Sequence, residues 1–104
     1  MSKSIENELG TYNGHSYFLC GKADPGFNDP SYFAAIIYFR DSSATENVEI
    51  ARIDNAHGRA HLHKLDRSTE EQEYKDVDQW DAMKFLEDNW RTYAEMYQKA
   101  HGRP

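Results

Sequence analysis

Three histidines, His57, His61 and His63, stand in one short segment of the chain, and Arg52 and Asp54 come just before them. An imidazole can accept and donate a proton near neutral pH, because its unperturbed pKa is about 6.5. A guanidinium can stabilise negative charge that develops on a phosphoryl group. The five residues together therefore indicate acid–base chemistry, metal binding or recognition of an anion.

Two strands and a turn are predicted around these residues. Residues 48–54 alternate between apolar and polar as a half-buried strand does, and residues 59–66 predict a second strand. Residues 55–58 contain Asn and Gly, which favour turns. Because His61 and His63 are two apart on one strand, they leave the same face, with Cα atoms about 6.6 Å apart.

The position of the turn also predicts the register of this hairpin. It pairs Asp54 with Arg59, and it sets Glu49 opposite Lys64, a pair of opposite charges. In this register the arginine and the aspartate of the first strand lie on the same face as the two strand histidines. The hairpin is therefore expected to bring its polar side chains together on one face.

The first strand of the hairpin is predicted to be regular along its length. Val48 and Ile50 then share the face of Arg52 and Asp54, while Ala51 lines the other face. The face with the charged residues begins apolar and becomes polar toward the turn. The other face is small and apolar.

Four interpretations of the hairpin remain open. In the first, one imidazole is the general base and another the general acid in the cleavage of an RNA phosphodiester, with Arg52 or Arg59 stabilising the charge on phosphorus. In the second, the hairpin binds a divalent metal ion. In the third it recognises a partner molecule, and in the fourth it is an ordinary hydrogen-bonded surface network.

A divalent metal is the cofactor that this hairpin could hold. His61 and His63 would be two of the ligands, and His57 or Asp54 would complete the set. Imidazole combined with carboxylate suits zinc, iron or manganese. No motif for an organic cofactor or a nucleotide is present in the sequence.

Composition and length predict one domain in 104 residues. The hydrophobic fraction of 38% is low, but 13% of the residues are aromatic, and large rings can build the core. A net charge of −6 argues against a protein that coats nucleic acid with a basic surface. Because the sequence has a single cysteine, no signal-peptide core and no apolar run of membrane-spanning length, we expect a cytoplasmic protein without a membrane segment.

The pattern of the chain predicts an α+β fold, a four-stranded antiparallel β-meander packed by one long C-terminal amphipathic helix. Residues 1–13 are expected to be flexible, residues 14–67 to form the sheet and residues 77–101 to form the helix. The first two strands are expected at residues 15–19 and 31–40. The second strand is apolar at both odd and even positions, as a central strand covered on both faces is.

Large apolar residues recur at helical spacing in the helix, which predicts a buried stripe. The members of this stripe are Trp80, Met83, Leu86, Trp90, Tyr93 and Tyr97. Phe85 and Met96 are expected on the opposite face, as isolated exposed residues or as anchors for a partner or a homodimer. Asp76 is the expected N-terminal cap. Cys20 is interpreted as a small core residue, and Tyr38 as a packing residue of the central strand.

The run Arg-x-Asp-Asn-Ala at 52–56, followed by His-Gly and by His-x-His-Lys, resembles a signature of small prokaryotic proteins that include TumE-type toxins of toxin–antitoxin systems. In this chain the histidines are more tightly clustered and the helical half is more acidic. The resemblance implies a short cytoplasmic protein that is directed at RNA or is neutralised by an antitoxin-like partner.

The leading prediction is therefore a toxin-like protein with RNA-directed acid–base cleavage at the His-rich hairpin. The alternative is a non-enzymatic interaction or inhibitor protein that uses its acidic helical surface or the hairpin. The expected partners are an antitoxin-like or target protein, or a second copy of the chain. RNA is the expected substrate in the first case, and no membrane is expected in either.

Overall fold

In the part of the chain that the structure describes, six antiparallel strands are followed by one helix. A computed structural model describes residues 3–40, 47–55, 60–64, 71–75 and 77–101, and of residues 60–64, 71–75, 100 and 101 it describes the backbone alone. The elements in chain order are β1 (Lys3–Tyr12), β2 (His15–Asp24), β3 (Tyr32–Arg40), β4 (Asn47–Asp54), β5 (Ala60–Lys64), β6 (Glu71–Lys75) and α1 (Gln79–His101). The order of the strands in the sheet is their order in the chain. The predicted class, an antiparallel meander packed by one C-terminal helix, is confirmed.

Two strands extend the sheet beyond the four that the sequence predicts. The predicted strands correspond to β2, β3, β4 and β5, while β1 and β6 form the two edges. Within the segment predicted to be flexible, Lys3–Tyr12 forms β1, which pairs with β2 along its length. Most side chains of β1 are polar and exposed, so the strand carries little of the apolar alternation that marks a half-buried strand.

The turn between β1 and β2 explains why the first strand forms. Tyr12 pairs with His15, which leaves Asn13 and Gly14 as a two-residue loop. Both loop residues have positive φ angles, 53° and 82°. Two-residue hairpin loops of this kind match the twist of antiparallel strands, and Asn-Gly is their strongest sequence signal. This dipeptide was therefore the evidence in the sequence for β1.

The hydrophobic core lies between α1 and one face of the sheet, which we call the core face. The sheet contributes Tyr17, Leu19, Ala23, Phe33, Ala35, Ile37, Phe39, Ile50, Ala51 and Ile53. The helix contributes Ala82, Met83, Leu86, Tyr93 and Ala94. We call the opposite face of the sheet, which α1 does not cover, the distal face. Since α1 packs mainly on β3 and also on β1, β2 and β4, the core is centred on the central strand.

Aromatic rings supply much of the core volume, as the composition predicts. Tyr17 has its ring centroid 5.3 Å from both Phe39 and Trp90. The Tyr17 hydroxyl accepts a hydrogen bond from Gln98 Nε2 at 3.0 Å, so the buried polar end of this ring is paired. Gly21 lies so close to Met83 that a Cβ there would collide with the methionine sulfur. The sheet and the helix therefore meet at close range.

The helix begins two residues later than predicted, and its first turn differs from the prediction. Asp78 Oδ1 accepts a hydrogen bond from the Asp81 backbone N–H at 2.8 Å, so Asp78 is the N-terminal cap. The predicted cap, Asp76, lies outside the described residues. The buried Gln79 donates its side-chain amide to the carbonyl of Phe27.

The predicted apolar stripe is confirmed for Met83, Leu86 and Tyr93, which are buried, and is wrong for Trp80, which is 51% exposed. Each helical residue is rotated about 100° from the one before it. Since Gln79 turns toward the protein, the next residue turns to the surface. Phe85 and Met96 are half-buried against the core rather than on the outer face.

The outer side of α1 is charged. Lys84 and Asp88 form an i,i+4 pair at 3.4 Å, and Glu95 and Lys99 form another at 3.6 Å. All four side chains are largely exposed, and such pairs contribute about 0.3–0.5 kcal/mol each. Within the described residues, no helix has the length and apolarity that crossing a bilayer requires.

A β-bulge in β4 decides which of its side chains reach each face. Ala51 pairs with Ile37 and Glu49 pairs with Tyr38, so Ile50 lies between these two pairs as an extra residue. An extra residue interrupts the alternation of a strand. Ile50 and Ala51 consequently both lie in the core.

The bulge corrects the regular strand that the sequence predicts for residues 48–54. Val48 and Ile50 pack against the core rather than sharing a face with Arg52. Glu49 lies on the distal face with Arg52 and Asp54 instead of on the face of Ala51. The physical reason is burial, because two isoleucines and an alanine of β4 reach the core only if the strand is bulged at Ile50.

The core predicts a large loss of stability for Leu86→Ala. Leu86 is fully buried, so the substitution should lower the free energy of unfolding by about 2–5 kcal/mol. Lys84→Ala on the outer side of the same helix should change it by no more than about 0.5 kcal/mol. Urea denaturation of the three proteins measures both values. Equal losses in the two variants would contradict the placement of the core.

Candidate functional site

The pairing of β4 with β5 brings together four of the five residues that the sequence singles out. Asp54 is the cross-strand partner of His61, and Arg52 is the cross-strand partner of His63. The fifth residue, His57, lies outside the described residues. Residues paired across antiparallel strands are neighbours on one face of the sheet. The backbone therefore places both histidine positions next to the arginine and the aspartate.

The register differs from the predicted one by two residues. Asp54 pairs with His61 rather than Arg59, and Ala51 rather than Glu49 is opposite Lys64. The predicted opposite-charge pair across these strands is therefore not formed. Six residues lie between the paired positions Asp54 and His61, two more than in the predicted turn. Because the side-chain period of a strand is two, a shift of two positions leaves Arg52 and Asp54 on the same face as the two histidine positions, as predicted.

Arg52 lies between two carboxylates on the distal face. Its Nε is 2.9 Å from Glu49 Oε1, and one of its terminal nitrogens is 3.8 Å from Asp54 Oδ2. Asp54 is only 6% exposed. The contact with Glu49 depends on the bulge, since residues three apart in a regular strand point to opposite faces. The two acids hold the guanidinium against the sheet beside the histidine positions.

Asn55 fixes the end of β4 to the start of β3. Its Oδ1 accepts a hydrogen bond from the Phe33 backbone N–H at 2.8 Å, and its backbone N–H donates to the Phe33 carbonyl at 3.3 Å. Its Nδ2 donates to the Ser31 carbonyl at 3.5 Å. Part of the Arg-x-Asp-Asn-Ala run therefore has a structural role, because Asn55 positions the residue that precedes it, Asp54.

An aromatic stack covers another part of the distal face. The rings of Phe18 and Tyr38 are parallel to within 17°, with centroids 5.3 Å apart. The Arg40 guanidinium lies 4.6 Å above the Phe18 ring, and its Nε donates to Asn47 Oδ1 at 3.4 Å. Cation–π contacts of this kind attract a cation to the ring face. Tyr38 is therefore a packing residue, as the sequence predicts. The stack covers a part of the distal face outside the group of Arg52 and Asp54.

A concavity of about 230 Å³ lies between the aromatic stack and the Arg52–Glu49 ion pair. The described residues that line it come from four strands and are Glu6, Cys20, Lys22, Ile36, Tyr38, Asn47 and Glu49. Sequence reasoning missed it as a site. Only the cross-strand registers bring these positions together, and the bulge that turns Glu49 into it leaves no mark in the sequence.

Cys20 lies in this concavity rather than in the core that the sequence predicts for it. It is half-buried on the distal face. Burial raises the pKa of its thiol above the ordinary value of 9.0, and the charges of Glu6 and Glu49 raise it further. The neighbouring Lys22 ammonium lowers the pKa and offsets part of this effect. Cys20 is therefore protonated at neutral pH and is a weak nucleophile there.

Metal binding by the hairpin stays a prediction. In the part of the chain whose side chains the structure describes, no three His, Cys, Asp or Glu residues are grouped to hold a metal ion. His61 and His63 are described by their backbone alone, and His57 lies outside the described ranges. Of the predicted ligand set, the structure shows Asp54 on β4 and the backbone positions of His61 and His63 on the neighbouring strand β5.

A family model described as Domain of unknown function (DUF7718) matches residues 6–103, so the chain belongs to this family. The match runs from β1 to the end of α1 and includes both the hairpin and the concavity. Neither a curated protein nor a solved structure matches the chain.

The surroundings of Cys20 predict slow alkylation of the native thiol. Iodoacetamide reacts with the thiolate, so the rate should rise with pH around a midpoint that is higher in the native protein than in denaturant. The same pKa shift affects stability. Because the pKa of Cys20 is higher in the folded than in the unfolded protein, this thiol lowers the free energy of unfolding only as pH rises from the unfolded pKa toward the folded one.

A matched pair of variants tests the contribution of Glu6 to this pKa shift. Glu6→Gln removes a charge that raises the pKa, so its alkylation midpoint should fall. Glu8→Gln on the same exposed strand should leave the midpoint unchanged. Identical midpoints in native and denatured protein would contradict the placement of Cys20.

Proposed function

We propose that this member of the DUF7718 family is a small cytoplasmic toxin-like protein that cleaves RNA by acid–base catalysis at the β4–β5 hairpin. The observation that carries the proposal is the register that sets His61 opposite Asp54 and His63 opposite Arg52. Two imidazoles on one face, each beside a group of different charge, are what a paired general base and general acid require.

The charges on β4 distinguish the roles of the two histidines. A nearby carboxylate favours the protonated imidazole, and a nearby guanidinium favours the neutral one. His61, opposite Asp54, is therefore assigned as the general acid, and His63, opposite Arg52, as the general base. His63 takes the proton from the ribose 2′-hydroxyl as its oxygen attacks phosphorus. His61 gives a proton to the departing 5′-oxygen, so a cyclic phosphate and a free hydroxyl result.

Arg52 is assigned to the stabilisation of charge on phosphorus. A guanidinium has five N–H donors, and the contacts with Glu49 and Asp54 leave some of them for a phosphate oxygen. The two carboxylates weaken the attraction of Arg52 for a singly charged phosphodiester. That attraction grows as negative charge develops in the transition state, which is where stabilisation accelerates a reaction.

The overall charge bears on how RNA would be bound. At a net charge of −6, long-range attraction to RNA is absent, so binding depends on local contacts at the hairpin. The resemblance of the 52–63 segment to TumE-type toxins supports an RNA-directed activity with an antitoxin-like partner. The same resemblance supports a role in the cytoplasm, where RNA is the substrate.

Substitution of either strand histidine should abolish the activity. In His61→Ala and in His63→Ala, cleavage of a short single-stranded RNA should fall at least 100-fold, in line with the usual contribution of a general acid or base of about 10²–10⁴. Growth arrest on expression should be lost in parallel. His101→Ala, at the end of α1, is the matched histidine control, and circular dichroism checks the fold.

The pH profile of cleavage tests the two assigned roles. A neutral base and a protonated acid working together give a bell-shaped dependence of kcat/KM on pH, and each substitution should remove one limb. Wild-type protein that cleaves no RNA, or variants that cleave at the wild-type rate, would refute the proposal. NMR titration of the imidazoles, with and without zinc, separates acid–base chemistry from metal binding, because zinc would shift their signals and raise thermal stability.

A second candidate function is binding of a protein partner at the start of α1. Trp80 is 51% exposed, and its ring lies 5.5 Å from that of Phe27. Exposed tryptophans are frequent centres of protein interfaces. The exposed Asp81 beside it supplies an acidic rim. This surface belongs to α1, which packs on the core face, whereas Arg52 and Asp54 lie on the distal face.

Partner binding at this surface should depend on the ring of Trp80. A protein captured by the tagged chain from its native cells should be lost with Trp80→Ala and retained with Trp80→Phe. Lys84→Ala, one turn further along the outer side of α1, should retain it. Capture of the same protein by wild type and Trp80→Ala would exclude this surface.

A further inference from the structure

The concavity on the distal face has a polar rim and an apolar floor. Glu6, Lys22 and Asn47 stand at the rim and are exposed. Ile36 and Tyr38 are buried at the floor. A volume of about 230 Å³ is below the range of roughly 300–1,000 Å³ that is typical of pockets for drug-sized ligands. The concavity therefore suits a small molecule with a few polar groups.

Among the described residues, none is a hydrogen-bond partner of the Tyr38 hydroxyl. Tyr38 is 6% exposed and lines the concavity, and its oxygen is buried without a partner in the part of the chain that the structure describes. Buried polar groups in folded proteins are almost always paired, so each exception calls for an explanation. The Tyr38 ring is held in place by its stack on Phe18. A ligand that places a polar atom at the floor would pair this hydroxyl.

The charges at the rim indicate what the ligand carries. The carboxylate of Glu6 and the ammonium of Lys22 belong to neighbouring strands and both line the concavity. The third charge, Glu49, is already bound to Arg52 at 2.9 Å. One anion and one cation at the rim match a ligand that has both an ammonium and a carboxylate group. Ile36 at the floor matches a short carbon chain.

Two other uses of the concavity are less consistent with these residues. Metal binding would need a cluster of ligands, and among the side chains described none is grouped for it. Covalent chemistry at Cys20 would need a thiolate, which burial and the neighbouring acids disfavour. Reversible binding of a small zwitterion is therefore the use of the concavity that fits its residues.

We propose that the concavity binds a free α-amino acid with a short hydroxyl- or amide-bearing side chain. Glu6 accepts hydrogen bonds from its ammonium group, Lys22 donates to its carboxylate, and the Tyr38 hydroxyl bonds to the polar atom of its side chain at the floor. No histidine is among the described residues that line the site. The site is joined to the hairpin through Glu49, which lines the concavity and holds Arg52.

The full-length chain can be titrated with serine, threonine, asparagine and alanine, and binding followed by backbone amide shifts in NMR spectra. At least one polar amino acid should bind saturably, with shifts centred on Cys20, Ile36 and Tyr38. Tyr38→Phe keeps the stack on Phe18, so it should weaken that ligand about tenfold and leave alanine unaffected. Tyr32→Phe, which alters another tyrosine of β3, is the matched control and should bind as wild type does.

Ligand derivatives test the assignment of the rim. The amide of the same amino acid lacks the carboxylate and should lose affinity in wild type, while Lys22→Met should bind acid and amide equally. The N-acetyl derivative lacks the ammonium and tests Glu6 in the same way through Glu6→Gln. No saturable binding, equal binding of the amide by wild type, or an unchanged affinity in Tyr38→Phe would overturn the proposal. RNA cleavage is measured separately, so failure here leaves the function proposed for the hairpin standing.

Discussion

The β-bulge at Ile50 is the feature on which both faces of the sheet depend. It places Ile50 and Ala51 together in the core, where Ile50 is fully buried against the helix side of the sheet. In the same step it turns Glu49 to the distal face, within 2.9 Å of Arg52. A regular strand would have sent Glu49 toward the helix, and burying an unpaired carboxylate there is strongly unfavourable. Core packing and the arrangement of the distal face are thus set by one local irregularity.

The two faces of the sheet have different roles. The core face uses aromatic rings to build a core from a sequence with few aliphatic residues, and α1 covers it with Leu86, Met83 and Tyr93. The distal face is free to hold charged and polar side chains. These form two neighbouring groups, one at Arg52 and Asp54 and one in the concavity lined by Tyr38. Since Glu49 belongs to both groups, a change of charge in the concavity would be felt at Arg52.

The Arg-x-Asp-Asn-Ala run has a structural role in addition to the chemical role that we propose for it. Asn55 ties the end of β4 to Phe33 and Ser31 of the neighbouring segment. Arg52 and Asp54 are placed by this anchor and by the ion pair with Glu49. Opposite them, the backbone of β5 carries the two histidine positions. A hairpin end that is anchored in this way can hold side chains in a defined geometry, as a site for acid–base catalysis requires.

The sequence by itself determined the α+β class, the C-terminal helix with its buried Leu86 and Tyr93, and the face that Arg52 and Asp54 share with the two histidine positions. These follow from hydrophobic periodicity, which is local and survives a register error of two residues. It also contained Asn13-Gly14, the signal for β1. Only the tertiary structure decided the bulge at Ile50, the exposure of Trp80 and the concavity around Tyr38. Each depends on which residues meet across strands or between helix and sheet, and the burial energy that selects those contacts exists only once the whole sheet has assembled on α1.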